Sequence, residues 1–495
     1  MLSEYFSAVD FLALKPIILL TLFGVGVMLI DLLLDEHQKH YNPITALIGL
    51  GFAAYSIGPW PGGLSYLMRQ NGLSELQAFR GAVVIDSFSL YFIWIFLIST
   101  AIAILLSTRY LAIEKEYRGE HYAIMLFATV GMVVLAIGMD LVTLFVGLEL
   151  MVISVYILTG FLRRDRRSNE AALKYLLLGA FSTGILLYGF SLLYGMSNST
   201  DLRMIASMLS QRPAGDPLVM MAVVTVSAGL LFKIGAVPFH QWLPDAYEGA
   251  PHSITAFMSV GPKAASFAFL LRMFLIPLAP ARELWLPLII GVALATMTLG
   301  NLAALSQSNT KRLLAYSAIS HAGYMLLGLV SGNQTGLQGI AIYLLVYAFM
   351  NLGAFAVIVA MRRKDLIGDE LDDLSGLMFK SPAAAVFMMI FLLSLAGIPP
   401  TAGFLGKYFI FLSLIETGHY TLAVVAVLYV AVALYYYFRI VVVMFMREPV
   451  DREVPVLSFG VRLALGITLA ATLFIGLFPD PFIQVASRSV LSILR

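Results

Sequence analysis

Cysteine is absent from the 495 residues. Its absence excludes disulfides, cysteine-ligated iron–sulfur clusters and thiolate zinc sites, so any electron path runs outside this chain. Charge is scarce too: Asp, Glu, Lys and Arg make up 12% of the chain and the net charge is only +2. The basic residues lie in short clusters between apolar runs and form no long arm, which argues against nucleic acid as a partner. A basic leader is also missing. Glu4 and Asp10 precede the first apolar run and no A-x-A-like small-residue site follows it, so the run reads as a retained helix. What is abundant is apolar: 60% of residues are hydrophobic, which places the chain among all-α polytopic membrane proteins.

A spanning helix needs about 20 mainly apolar residues. On that rule fourteen spans are expected, near 16–34, 43–60, 83–106, 122–139, 141–161, 171–196, 218–240, 253–276, 284–305, 312–330, 336–361, 382–414, 421–446 and 458–478. Lys and Arg concentrate in the loops after odd-numbered spans, 16 against 8 on the other side, with Arg163–Arg167 the densest cluster. Cytoplasmic loops carry such an excess, so both termini are expected on the periplasmic side and the polar loop at 240–252 on the cytoplasmic side. Tyr435–Tyr437 reads as an interfacial aromatic belt, and Asp31 and Asp86 as groups near helix ends reaching the interface.

Two spans carry breaks. Gly235-Ala-Val-Pro238 interrupts the seventh and Gly397-Ile-Pro399-Pro400 the twelfth, which at 33 residues is too long for one straight crossing. The two G-x-x-P patterns lie 162 positions apart, each in a run of five spans. Five is odd, so spans 4–8 and 9–13 would form two repeats of inverted topology. The expected organisation is 1–121 for spans 1–3, 122–277 and 278–447 for the two repeats, and 448–495 for span 14.

Ionisable groups lie beside these breaks, where a charge costs roughly 2.5 to 3.5 kcal/mol on insertion scales. Lys233 precedes the first break, Lys263 lies mid-way along span 8, His321 within span 10 and Lys407 after the second break. Glu149, about nine residues from either end of span 5, is a candidate partner for Lys233; the plain alternative is a static ion pair joining two helices. Burial disfavours a charged lysine and a nearby carboxylate restores it, so a lysine whose partner moves can take and release a proton. A histidine between lysines could pass that proton on, or serve only as a neutral hydrogen-bonding group. His240, Asp245, Glu248 and His252 flank the 240–252 loop; their spacing fits no metal-ligand motif, and they read as loop caps with a role in proton uptake for His240, Asp245 and His252.

Six stretches together resemble a known family: DLVTLFVGLELMVISVYIL (140–158), RRSNEAALKYLLLGAFSTGILLYG (166–189), LLFKIGAVPFHQWLPDAYEGAP (230–251), SVGPKAASFAFLLR (259–272), NTKRLLAYSAISHAGYMLLG (309–328) and LLSLAGIPPTAGFLGKYFIF (392–411). They are similar to the antiporter-like membrane subunits of respiratory complex I, NADH:quinone oxidoreductase. Lysine rather than glutamate at 407 and an end soon after span 14 match the N-type subunit within that family. Lys15-Pro16 departs from the acidic residue expected before this proline. The resemblance implies a proton relay through Glu149, Lys233, Lys263, His321 and Lys407, driven by quinone reduction elsewhere in the complex. It implies no cofactor on this chain, with NAD, FMN, iron–sulfur clusters and quinone in partner subunits. M-type and K-type subunits and membrane lipids would be its partners, and the bacterial cytoplasmic (inner) membrane its location. A subunit of a multisubunit sodium/proton antiporter is the alternative.

Overall fold

The computed structural model describes residues 7–213, 215–362, 368–449, 455 and 457–494. Glu4, and Arg363, Lys364, Arg452 and Arg495 of the basic count, lie outside the described residues. The chain begins with α1 (Ala8–Leu33) and α2 (Tyr41–Ile57), followed by the short α3 (Leu64–Gln70). A hairpin of β1 (Glu75–Ala78) and β2 (Val83–Asp86) then leads into α4 (Ser87–Glu114). Next come α5 (Gly119–Ile137), α6 (Leu141–Thr159), α7 (Arg166–Ser197), the short α8 (Leu202–Leu209), α9 (Pro217–Ile234), α10 (Trp242–Gly249) and α11 (His252–Leu275). The rest is α12 (Arg282–Leu305), α13 (Thr310–Ser331), α14 (Gln334–Met361), α15 (Pro382–Ala396), α16 (Ala402–Glu416), α17 (Tyr420–Met446), α18 (Phe459–Leu477) and α19 (Asp480–Ile493).

Each of the fourteen apolar runs contains helix, and twelve described helices are long and apolar enough to cross a membrane. Lipid offers no partners for backbone N–H and C=O groups, so helix is the form these runs must take. The outer helices show why the composition is so apolar: Leu32 and Leu33 of α1 are 81% and 84% exposed, a surface suited to acyl chains rather than water. The centre is different. α11, α13 and α14 are almost wholly buried, and these three carry Lys263, His321 and Asn351.

Three elements depart from the sequence expectation. Asp10 is not an upstream flank: its carboxylate closes a capping box with Ser7 at the start of α1 and accepts the Phe79 N–H at 2.6 Å. The hairpin β1–β2 is a small strand pair in an otherwise helical chain, its last residue Asp86 serving as N-cap of α4. The stretch read as a polar loop at 240–252 contains α10. Trp242, Leu243 and Tyr247 bury their side chains there, and Trp242 stacks on Tyr175 at 4.3 Å. Its polar residues face the rim, which is why hydropathy alone misses it.

The breaks are built alike. α9 ends on Gly235 at φ 74° and α15 on Gly397 at φ 86°, a left-handed conformation that costs a side-chain-bearing residue but not glycine. In each, the next residue's N–H turns back to the helix: Ala236 to Leu231 O and Ile398 to Leu393 O, the Schellman pattern. Val237–Pro238 and Pro399–Pro400 are both cis. Close packing is alike as well. A side chain on Gly131 would meet the Met151 backbone where α5 crosses α6, and one on Gly300 the Ser320 backbone where α12 crosses α13. Isolated bridges join Asp140 to Asp201 and Asn309 to Glu370, each tying together two loops.

Candidate proton-relay site

The two broken helices bring Lys233 and Lys407 into the interior, and the buried helix α11 brings Lys263. Lys233, Lys263 and Lys407 are 7%, 3% and 3% exposed, and among the described residues none has a carboxylate within 4.0 Å. Buried charges are ordinarily paired, so this is the feature of the chain that most needs explaining.

Each ammonium is held instead by neutral oxygen. Lys233, in the last turn of α9, donates to Thr183 Oγ1 of α7 at 2.9 Å. The expected pairing with Glu149 is therefore not a direct one: Glu149 lies within electrostatic range of Lys233, while its Oε1 is buried without a hydrogen-bond partner. Glu149 on α6 and Lys233 on α9 thus form no direct ion pair, and Thr183 on α7 takes the ammonium's hydrogen bond. Lys263 donates to Ala318 O at 2.7 Å and lies over the Tyr347 ring. Lys407 reaches back from α16 to the carbonyls of Leu395 and Ala396, at 3.1 and 2.8 Å. Those are the last carbonyls of α15, whose negative helix end attracts a cation.

His321 lies between Lys263 and Lys407, in electrostatic reach of both. Its Nδ1 is 2.6 Å from the Tyr343 hydroxyl and its Nε2 is 3.0 Å from the Tyr437 hydroxyl, which in turn contacts Ser317. The structure thus corrects the belt assignment. Tyr435 is exposed, but Tyr436 and Tyr437 are buried in mid-α17, with Tyr436 donating to Asn301. Tyr324, Tyr343, Tyr347 and Tyr437 are site residues that sequence reasoning missed. An aromatic in a membrane helix signals nothing by itself; only the packing of α13, α14 and α17 shows these tyrosines gathering near His321, with the Tyr343 and Tyr437 hydroxyls on its ring. Between Lys233 and Lys263 there is no direct hydrogen bond among the described residues.

The residues suggested for proton uptake separate. His240 is half-buried beside the first break. Asp245 and Glu248 on α10 are both bridged by Arg312, at 2.8 and 2.7 Å, and Asp245 also meets Lys174 at 3.0 Å. Burial works to raise the Asp245 pKa, but Arg312 and Lys174 outweigh it and hold the carboxyl below its usual range. Lys174, Asp245 and Glu248 line a polar cleft of about 160 Å³ with Arg167 and Glu170. His252 is instead buried, 2.7 Å from Asp369, whose carboxylate is 3.8 Å from Lys311.

Asp369 is buried in that cluster. Burial would raise its pKa; Lys311 and His252 more than offset this and bring it down to about 2. A depressed carboxylate stabilises the fold above its unfolded value and loses that contribution as pH falls through about 2. Asp369→Asn is therefore expected to cost roughly 2 kcal/mol at both pH 7 and pH 5. Thermal unfolding of the purified protein at the two pH values checks this.

Asp86 is also corrected. It is 3% exposed and buried against Arg272 of α11, itself 1% exposed, with Nη2 at 3.1 and 3.2 Å from the two carboxylate oxygens. No interfacial snorkelling is involved. Asp31 accepts from Asn42 Nδ2 at 2.5 Å. Among the described residues no group of three or more His, Asp or Glu could hold a metal.

Buried lysines on broken helices, set in a bundle of this topology, define an antiporter-like ion-translocating membrane subunit. Residues 138–433 match the family described as "NADH:quinone oxidoreductase/Mrp antiporter, TM". The NADH-quinone oxidoreductase subunit N 2 of Solibacter usitatus is 55% identical over 492 residues, covering 99% of each chain. A chain of respiratory complex I from Thermus thermophilus superposes with a TM-score of 0.79 at 31% identity, over 95% of this chain and 99% of that one. A chain of the Mrp complex from Dietzia sp. shares the fold, with a TM-score of 0.84 at 22% identity over 99% and 98%. The chain belongs to the NADH-quinone oxidoreductase subunit N family.

Proposed function

We propose that this chain is a proton-translocating membrane-arm subunit of a redox-driven NADH:quinone oxidoreductase. The observation that carries the reading is the set of three buried lysines, Lys233, Lys263 and Lys407, held by neutral oxygens, two of them within electrostatic reach of the buried His321. The relay runs through Glu149, Lys233, Lys263, His321 and Lys407. Quinone reduction in partner subunits closes or opens the Glu149–Lys233 pair, which changes how strongly the neighbouring lysine holds its proton. Thr183 holds Lys233 while the pair is open. His240, Asp245 and His252 mark the uptake side, where the cleft at Asp245 offers a hydrated approach.

The chain contributes no redox group; NAD, FMN, iron–sulfur clusters and quinone belong to other subunits, with M-type and K-type subunits among its neighbours. It lies in a bacterial cytoplasmic membrane with both termini on the periplasmic side. Residues 122–277 and 278–447 act as two inverted half-channels between 1–121 and 448–495, a reading supported by the matching breaks at Gly235 and Gly397. The fold alone does not choose between this and a sodium/proton antiporter, since both assemblies use it. The test is acidification of inverted membrane vesicles during NADH oxidation in sodium-free buffer. Full pumping without sodium is expected; pumping that needs sodium and persists without electron flow would support the antiporter.

A further inference from the structure

The start of α11 holds a buried polar cluster that the relay leaves unused. His252, its first residue, is 2% exposed and lies 2.7 Å from Asp369, whose carboxylate is 3.8 Å from Lys311. Tyr110 of α4 packs on the imidazole at 5.3 Å, and the Arg362–Glu114 pair is within electrostatic range. Three polar atoms here are buried without a hydrogen-bond partner: His252 Nδ1, Ser253 Oγ and Thr310 Oγ1. Such atoms are ordinarily paired with protein or with water.

Two polar ladders lead inward from this cluster. His252, Ser259 and Lys263, seven and four residues apart, share one face of α11. Tyr343, Tyr347 and Asn351, spaced by four, share one face of α14. The ladders meet. Asn351 Nδ2 donates to Ser259 Oγ at 2.6 Å, and one turn deeper Lys263 lies over the Tyr347 ring, 5.8 Å from its centroid. Asn351 is 1% exposed, and its bond to Ser259 is the one hydrogen bond between α11 and α14 among the described residues. The Tyr347 hydroxyl is buried and has no hydrogen-bond partner. Unpaired polar atoms thus occur at the start of α11 and again beside Lys263, with Ser259 and Asn351 between them.

We propose that α11 and α14 enclose a proton inlet running from His252 to Lys263, with Asn351 as its positioning residue. A proton taken up at His252 crosses to Ser259 through water, about 10 Å along the helix axis. Each water or hydroxyl on the line gives one proton inward and takes one from behind, and neutral Lys263 accepts the last, so the net transfer is a single proton. Asn351 holds the Ser259 hydroxyl in line and does not titrate. The inference rests on the proton-translocating reading and adds to it an entry for Lys263 that does not pass through Lys233.

The test compares wild type with Asn351→Leu and Asn351→Asp in inverted membrane vesicles, whose outer medium bathes the uptake side. Asn351→Leu keeps the volume and removes the polar contact. Its pumping is expected to fall about tenfold, the factor that one hydrogen bond can contribute. The ratio of its rate to the wild-type rate should fall further as the medium goes from mildly acidic to mildly alkaline, because uptake has become the slow step. Asn351→Asp, with the same shape and a polar end, should recover most of the rate. A ratio that stays constant across that range, or an aspartate variant no better than the leucine one, would make Asn351 a bond that merely joins two helices; either overturns the inlet and leaves the pumping reading intact. Absence of pumping by the wild type overturns both. Should the leucine variant fail to assemble, hydroxyl-radical labelling of the wild-type complex decides: water in the inlet should lead to modification of Tyr347, and an unmodified Tyr347 overturns the proposal.

Discussion

Arg272→Met is expected to abolish accumulation of the assembled protein, although the residue is far from every group in the relay. Its guanidinium is 1% exposed and makes four contacts: Nε to Ala136 O, Nη1 to Met139 Sδ, and Nη2 to both oxygens of Asp86. Removing it leaves a carboxylate buried and unpaired, which costs about 3–5 kcal/mol, whereas removing both members of a buried pair costs far less. Folded membrane proteins have only about 5–15 kcal/mol in hand if they resemble soluble domains. The double variant Asp86→Leu/Arg272→Met should therefore recover much of the complex seen on native gels. Failure of the double variant to do better than Arg272→Met alone would mean that the ion pair is not what holds α4 to α11.

The second large effect is functional. Lys263→Met should leave the complex assembled, because a methionine fills nearly the same volume and only one hydrogen bond, to Ala318 O, is lost. Proton transfer is another matter. A positioned acid–base group typically contributes about 10²–10⁴-fold, and Lys263 is the ionisable side chain in the middle of α11, with His252 and Arg272 toward its ends. Coupled pumping should fall by roughly 100-fold on that scale. If pumping persists near the wild-type rate, Tyr347 and His321 surround a structural lysine.

How far the sequence reaches depends on the residue. Hydropathy finds the helices because lipid forces every apolar run of sufficient length into the same form. The breaks at Gly235 and Gly397 are legible because glycine and proline act locally, and the three lysines because a charge in an apolar run has no innocent explanation there. Contacts between distant segments are not legible. Arg272 finds Asp86 across 186 positions, and Tyr437 finds His321 across 116. Neither has a local signature: an aspartate before a helix looks like any cap, and three consecutive tyrosines look like a belt until Tyr436 and Tyr437 are seen to be buried. α10 was hidden for the opposite reason, since its charged rim masked the face that Trp242 and Tyr247 bury.

Thr183 is the most instructive omission. A threonine in a membrane helix is commonplace, yet here it takes the position beside Lys233 that the sequence assigns to Glu149. Lys233 is thus hydrogen-bonded to Thr183 and not ion-paired with Glu149, which the residue types alone could not indicate.

The most direct measurement is proton pumping by membrane vesicles carrying Lys233→Ala, made together with native-gel assembly of the complex and its quinone reductase rate. The account predicts an assembled complex in which pumping and coupled electron transfer both fall severely. Pumping and quinone reduction near wild-type levels would contradict it, and would make the broken helix at Gly235 a structural feature with no part in moving protons.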